Sequence, residues 1–366
     1  MKQISIAIDM MGGDPLEEKV RREGQRLRHK HHATPTERAV EGITMLAKDR
    51  KQNSFEVSLF AVGDEKLITE SLAWHGALDL LEDFVTIHHA HTHYEMDGTL
   101  VGEGGKRDTS LYHCMQLHKE GKCNAVFSAG NTQNVVIIAS GMLGRLSNVI
   151  RRPPLFIFLP TKNGQQYALL DAGSNNQVDA KGLYDFAMMA TLYYKHVLGK
   201  NDYSLGLLSN GEERGKGTEI TRRTAELILA NPELSPHFKG NVEATHIYDG
   251  CVDIVVCDGF TGNIYLKACE QSASTVGEWI KQGIESESLL SRIRHKTGYL
   301  LLKPVFDEIK YRVNPSQYGG APLLGINGVV VVGHGRSDGE AFYRGVKVAE
   351  QFILADVNKR IKDHLI

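Results

Sequence analysis

Apolar positions along the chain follow two rhythms, short β-branched runs and longer stretches at helical spacing. Gln3 to Asp9 (QISIAID) predicts a first strand, and Ala39, Ile43 and Leu46 predict the helix after it. Phe55 to Val62 and Phe84 to His88 predict the next two strands, with a helix through Ile68 and Leu72 between them, so the chain opens as βαβαβ. A helix through Leu111 and Leu117, a short strand at Asn124 to Phe127 and an apolar helix at Val135 to Leu143 follow. The segments LFIFLP and QQYALLDAG flank Asn163-Gly164 and read as a β-hairpin. Beyond it come a helix through Phe186, Met189 and Leu192, a strand at Tyr203 to Leu208 and a helix through Ala225 and Leu229. Val252 to Cys257 has the composition of a strand buried on both faces, and from Ile264 helical spacing runs to about Gly283. A last strand at Val329 to Val332 leads into a long terminal helix from about Ser337.

This alternation predicts an α/β fold on a mostly parallel sheet. Right-handed crossovers bring the strand ends to a common edge, where ligands bind in such sheets. The loops after the strands ending near Asp9, Phe127, Asp171, Leu208 and Cys257 are therefore expected along one edge of one sheet, forming a polar cleft of phosphate size. No repeat or linker divides the chain, so residues 1–366 are expected to form a single domain, with a helical amphipathic extension over 265–317.

A formal net charge of −2 gives no overall attraction for nucleic acid. Five cysteines (Cys114, Cys123, Cys251, Cys257 and Cys269) without a CxxC pair argue against a disulfide framework and a zinc site, and point to a reducing cytoplasm. The amino-terminal stretch has no apolar signal region, and no later run has the length of a membrane span. Lys19 to His32 crowds basic residues and histidines and reads as a solvated helix or disordered insert. His88, His89, His91 and His93 alternate with small residues at a strand end, a surface pattern rather than a metal site.

The loops themselves carry the candidate chemistry. Gly12 and Gly13 allow tight turning after Asp9, and Ser128-Ala129-Gly130-Asn131-Thr132 can cap a helix or hold an anion. Thr109 and Ser110 cap the helix they open. Lys216, between two glycines after a buried strand, stands where a lysine neutralises a phosphate, although neither GxxxxGK[ST] nor GxGxxG is present. Asp258, Thr261 and Asn263 sit in the loop of VDIVVCDGFTGN. His334 between glycines reads either as a proton donor or as a histidine bonded to backbone.

Taken in order, these loops resemble the bacterial acyl-carrier-protein:phosphate acyltransferases (the PlsX family) of phospholipid synthesis. The likeness runs from Ile4 to about Val348 and rests on DMMGGD (Asp9 to Asp14), SAGNT (Ser128 to Thr132), DAGSN (Asp171 to Asn175), Gly211-x-Glu213-x-x-Lys216-Gly217, GNVE (Gly240 to Glu243), DGFTGN (Asp258 to Asn263), YGGA (Tyr318 to Ala321) and His334-Gly335. The resemblance implies a three-layer α/β/α fold related to isopropylmalate dehydrogenases and phosphotransacetylases. It implies a homodimer, acyl carrier protein and inorganic phosphate as partners, and a cytoplasmic enzyme resting on the membrane surface without cofactor or metal. The substrate contacts it suggests are Asp9, Gly12, Gly13, Ser128, Gly130, Asn131, Thr132, Asp171, Asn175, Glu213, Asp258, Thr261 and His334. Leu289, Leu290, Ile293, Leu300 and Leu301 fall where it places the membrane contact.

The chain departs from the family pattern at several points. A basic stretch follows Asp14-Pro15 and displaces the usual His-Ala-Pro to His32-Ala33-Thr34-Pro35; Gly104 and Gly105 replace arginines before Lys106 and Arg107; Gln133 and Gln271 replace glycines, and Ser174 an alanine. For the reaction, phosphate needs no covalent relay from the protein. Lys216 and the helix-start N–H groups near Asn131 and Thr132 are expected to hold it, and Asn263 to donate to the oxyanion. Two rivals stand beside this reading: a metal- and NAD-dependent dehydrogenase of the isopropylmalate type, and a membrane-docked scaffold that binds acyl carrier protein without turning it over.

Overall fold

The computed structural model describes residues 3–14, 34–50, 55–94, 96, 108–146, 152–284, 289–313, 317 and 319–365. The basic stretch Lys19 to His32, the residues Gly104 to Arg107 and Tyr318 lie outside them.

The first part of the chain runs β1 (Gln3–Asp9), α1 (Pro35–Asp49), β2 (Glu56–Gly63), α2 (Glu65–Trp74), α3 (Leu80–Asp83), β3 (Val85–His89), α4 (Ser110–Lys119), β4 (Ala125–Ser128) and α5 (Thr132–Leu143). The middle holds β5 (Ile157–Pro160), β6 (Gln166–Leu170), α6 (Ala180–His196), β7 (Leu205–Leu208), α7 (Glu219–Ala230), β8 (Phe238–Val242), α8 (Ala244–Tyr248) and β9 (Ile254–Val256). The rest is α9 (Gly259–Ile284), α10 (Leu289–Val313), β10 (Ala321–Pro322), β11 (Val330–Val332), α11 (Gly339–Leu354) and α12 (Val357–Leu365). Local chemistry explains many boundaries. Thr34 and Glu37 form a capping box at the start of α1, with Pro35 in its first turn, and Asp179 and Asp338 cap α6 and α11.

The strands make two sheets, where the pattern had suggested one. The first has the order β10-β11-β4-β1-β2-β3 and the second β5-β6-β9-β7-β8. Within each sheet neighbours are parallel except at one edge, where β10 and β5 run antiparallel to their partners. The sheets meet at those edges through a Leu155–Leu323 bridge and a bond from Phe156 N–H to the Pro322 carbonyl. Prolines 153, 154 and 322 lack the N–H a continuous ladder would need there.

Strand alternation then builds the layers. Ile4, Ile6 and Ile8 of β1, Ala168 and Leu170 of β6, and Ile254 and Val256 of β9 enter one core, lined by α1, α6, α11 and α12. Ala7, Tyr167, Leu169 and Val255 enter the other, lined by α4, α5, α8 and the start of α9. Each core contains residues of both sheets, giving the expected three-layer α/β/α arrangement.

Three local features differ from the sequence reading. β8 and α8 add a strand and a short helix around GNVE, and β10 adds the antiparallel edge. The terminal helix is broken after Leu354, where Asp356 adopts φ 50°. α9 and α10 pack on each other, with Pro304 inside α10 and Trp279, Leu300, Leu301 and Val305 exposed. The side chains of Leu289, Leu290 and Ile293 lie outside the described ones. Among the described residues no helix is long and apolar enough to cross a membrane.

Candidate active site

Because the strands form two sheets, the candidate residues divide between two rims. On the first rim, β1 and β4 pair with Asp9 beside Ser128, and β11 brings Val332 to the same level. The Asp9 carboxylate is buried and accepts from the Met11 and Gly12 N–H groups, from Ser110 Oγ at 2.6 Å and from Ser128 Oγ at 2.7 Å. Ser128 Oγ in turn accepts from the Gly130 N–H. Asn131 caps α5, its Oδ1 accepting from the Gln133 and Asn134 N–H groups and its Nδ2 donating to the Met96 carbonyl.

Asn131 thus occupies the Gln133 and Asn134 N–H groups of the helix start expected to hold phosphate. Asp9 and Ser128 likewise hold the loop together and offer it no vacant donor. His334, at the end of β11, accepts from the Arg336 N–H through Nδ1. Gly13 and Asp14 lie beside it, where Asp14 N–H bonds the Gly335 carbonyl and the buried Arg38 guanidinium donates to the carbonyls of both Asp14 and Gly335. Burial lowers the Arg38 pKa below its ordinary value.

The second rim is built differently. β6, β9 and β7 lie side by side and parallel, so the loops carrying Asp171, Asp258 to Asn263 and Lys216 leave one edge together. Asp171, fully buried, accepts from the N–H groups of Leu155, Gly173, Ser174 and Asn175 and from Asn175 Nδ2. Burial pushes its pKa up and these donors pull it down, with burial the larger effect. The Asn175 carbonyl accepts from the Gly259 N–H at 2.7 Å, fastening this loop to the start of α9. Asp258 caps that helix by accepting the Thr261 N–H and hydroxyl. Asp171 and Asp258 therefore shape the rim, and their oxygens are engaged within it.

Two glycines make this packing possible. A β-carbon at Gly262 would stand 1.9 Å from the Asp171 carbonyl oxygen. Gly173 has φ 147°, and the Asn263 side chain lies over its Cα. The Asn263 amide is half-buried and, among the described residues, makes no hydrogen bond. On the neighbouring loop Asn241 Nδ2 donates to the carbonyls of Glu213 and Lys216, fixing the turn while both side chains stay exposed. The Lys216 ammonium has no ion-pair partner among the described residues. Ser174 Oγ and Ser209 Oγ, buried in the same two loops, also lack a partner there.

The second rim thus combines a free cation, an uncommitted amide and spare hydroxyls, groups suited to an anion beside a polarised carbonyl. Cys257 lies beneath it with its thiol toward the Asp171 carbonyl at 3.7 Å; burial pushes that thiol well up, which removes it as a thiolate nucleophile. Among the described residues no group of three or more His, Cys, Asp or Glu is placed to hold a metal ion. His88 on β3 and His113 on α4 instead form a pair leading to Asp108.

Sequence reasoning missed Arg38 and the bond from Ser110 to Asp9. Ser110 was read as a cap, but Thr109 performs that task by accepting the Tyr112 N–H, and Ser110 turns inward. No local signal distinguishes the two. The GNVE match did mark Asn241, though not what it holds.

Comparison with known proteins agrees with this architecture. A family model described as fatty acid synthesis protein matches residues 4–360. The chain is 36% identical over 361 residues to a phosphate acyltransferase of Geobacter sulfurreducens, covering 98% of this chain and 94% of that one. It is 33% identical over 362 residues to the phosphate acyltransferase of Campylobacter jejuni, covering 99% and 98%. In fold it is similar to a phosphotransacetylase from Streptococcus pyogenes, with TM-score 0.54 and 16% identity over 96% of this chain and 94% of that one. A family match over nearly the whole chain and relatives at this identity place the protein in the fatty acid synthesis protein (PlsX) family, as an acyltransferase.

Proposed function

We propose that the chain transfers a fatty acyl group from acyl carrier protein to inorganic phosphate, giving acyl phosphate for phospholipid synthesis. The observation that carries this reading is the second rim, where Lys216, in the loop after β7, and Asn263, at the start of the helix after β9, stand uncommitted behind adjacent parallel strands. Phosphate, held by the Lys216 ammonium, attacks the thioester carbonyl with an oxygen lone pair. The tetrahedral oxyanion accepts from Asn263 Nδ2, and its collapse breaks the carbon–sulfur bond and releases the carrier thiolate. Thr261, Asn175 and Glu213 complete the wall, while Gly12, Gly13, Gly130, Thr132 and His334 on the first rim contact the donor.

The exposed apolar residues of α9 and α10, Leu300 and Leu301 among them, support peripheral contact with the membrane by an enzyme of the cytoplasm, and a homodimer is the expected assembly. The deciding experiment incubates the purified chain with palmitoyl-loaded acyl carrier protein, with and without phosphate, and traps the product with hydroxylamine. Thioester loss that depends on phosphate and yields hydroxamate is expected. Loss without phosphate, or none at all, would refute the proposal.

A further inference from the structure

α9 divides its surface sharply at the site. Gly262 faces inward against the Asp171 carbonyl, Tyr265 donates or accepts a 2.8 Å bond with the buried Tyr167 hydroxyl, and Leu266 packs on the core. A helix turns 100° per residue, so Phe260, Ile264, Lys267 and Gln271 share the opposite face. Phe260 is 59% exposed and Ile264 54% exposed. Asn263 lies between the two faces, three residues from Phe260 and next to Ile264, and residues so spaced are neighbours on a helix surface.

Single exposed apolar residues need no explanation, but these two adjoin the uncommitted amide of Asn263 at a rim whose other exposed side chains are polar. We propose that Phe260 and Ile264 form the shelf that receives the first methylenes of the acyl chain, so that this turn of α9 sets acyl-chain preference. The inference rests on the acyl-transfer reading and adds a specificity surface to it. A thioester whose carbonyl oxygen meets Asn263 must run its chain off across the helix, and the apolar surface one turn away is Phe260 and Ile264. The shelf is short. From Phe260 to Ile264 the helix rises about 6 Å, and about 10 Å along it the exposed Lys267 ends the apolar stretch. It therefore grips carbons close to the carbonyl, each buried methylene contributing about fourfold to kcat/KM.

The test compares acetyl- and octanoyl-loaded acyl carrier protein on the wild-type chain and on Phe260→Ser and Ile264→Ser. The ratio of kcat/KM for octanoyl over acetyl is expected to fall about tenfold or more in each variant, with the KM for phosphate held. An unchanged ratio in folded variants would overturn the shelf. So would dissociation of a dimer by either variant with the ratio intact, since a second copy of the chain would then be the occupant. A wild-type chain inactive on both thioesters would remove the acyl-transfer reading and this one with it, whereas activity with an unchanged ratio removes the shelf alone.

Discussion

Gly262 packs its Cα directly beneath the carbonyl oxygen of Asp171, leaving 1.9 Å where a β-carbon would stand. This contact seats the first turn of α9 on the loop after β6 and so determines where Asn263 is held. A methyl group there would have to displace the Asp171 backbone and the buried Cys257 sulfur. Gly262→Ala is expected to cost on the order of 1–3 kcal/mol of stability and most of the activity. Thermal unfolding and turnover of the same preparation measure both; a variant with wild-type values for each would mean that the contact does not position the site.

Lys216 and Asn263 are expected to fail differently. Asn263→Ala should lower kcat by about 10²–10³ through the loss of one oxyanion donor. Lys216→Ala should act chiefly on the KM for phosphate, because the ammonium contacts the nucleophile in the ground state as well. Steady-state kinetics with phosphate varied separates the two, and equal effects on kcat alone would contradict the assignment.

Ser110 gives the first rim its own test. Its hydroxyl donates to the buried Asp9 carboxylate at 2.6 Å, and Ser110→Ala leaves that oxygen with one donor fewer. A loss of about 1–3 kcal/mol is expected, read as a lower midpoint in denaturant, with the KM for phosphate unchanged. A raised phosphate KM at full stability would show that this rim binds the anion after all.

His118 predicts a pH dependence of stability. Its Nε2 accepts from the Val329 N–H at 2.9 Å and its Nδ1 faces the Cys123 carbonyl at 3.0 Å, so the ring is held neutral between β4 and β11. Burial lowers its pKa below 6.5, the value in an unfolded chain. Between the two values the unfolded state binds more protons, so stability is complete above pH 6.5 and falls as the pH drops below it. Melting temperatures across pH 5 to 8 should show this fall, and His118→Gln should reduce its slope. An undiminished slope would assign the effect to other groups, such as His88, whose pKa is also lowered, first by burial and then by His113.

The exposed leucines of α10 allow a direct membrane experiment. Leu301, 77% exposed, and its neighbour Leu300, 67% exposed, present apolar side chains at the surface. Leu300→Asp and Leu301→Asp should weaken sedimentation with anionic vesicles while leaving the melting temperature within about 1 °C, as surface changes do. Unaltered sedimentation would place the contact elsewhere.

Periodicity and turn chemistry were enough to read β1, β4, β6, β7, β9 and β11, the strands that carry the rims, together with the order of the polar loops. Each of those signals is local, a run of β-branched residues or a cap within three residues of its partner, as with Thr34 and Glu37. The division into two sheets was not legible, since it turns on where β5 and β10 meet, far apart along the chain. Nor was the difference between the rims. Asp9 finds its partners 101 and 119 residues away, at Ser110 and Ser128, while Asn263 finds none among the described residues. The sequence by itself determined which residues stand at strand ends, because backbone propensity needs no distant neighbour. Only the tertiary structure decided which of their polar groups are spent on holding loops together and which stay open to a substrate, because hydrogen-bond partners are assigned by the fold and not by spacing.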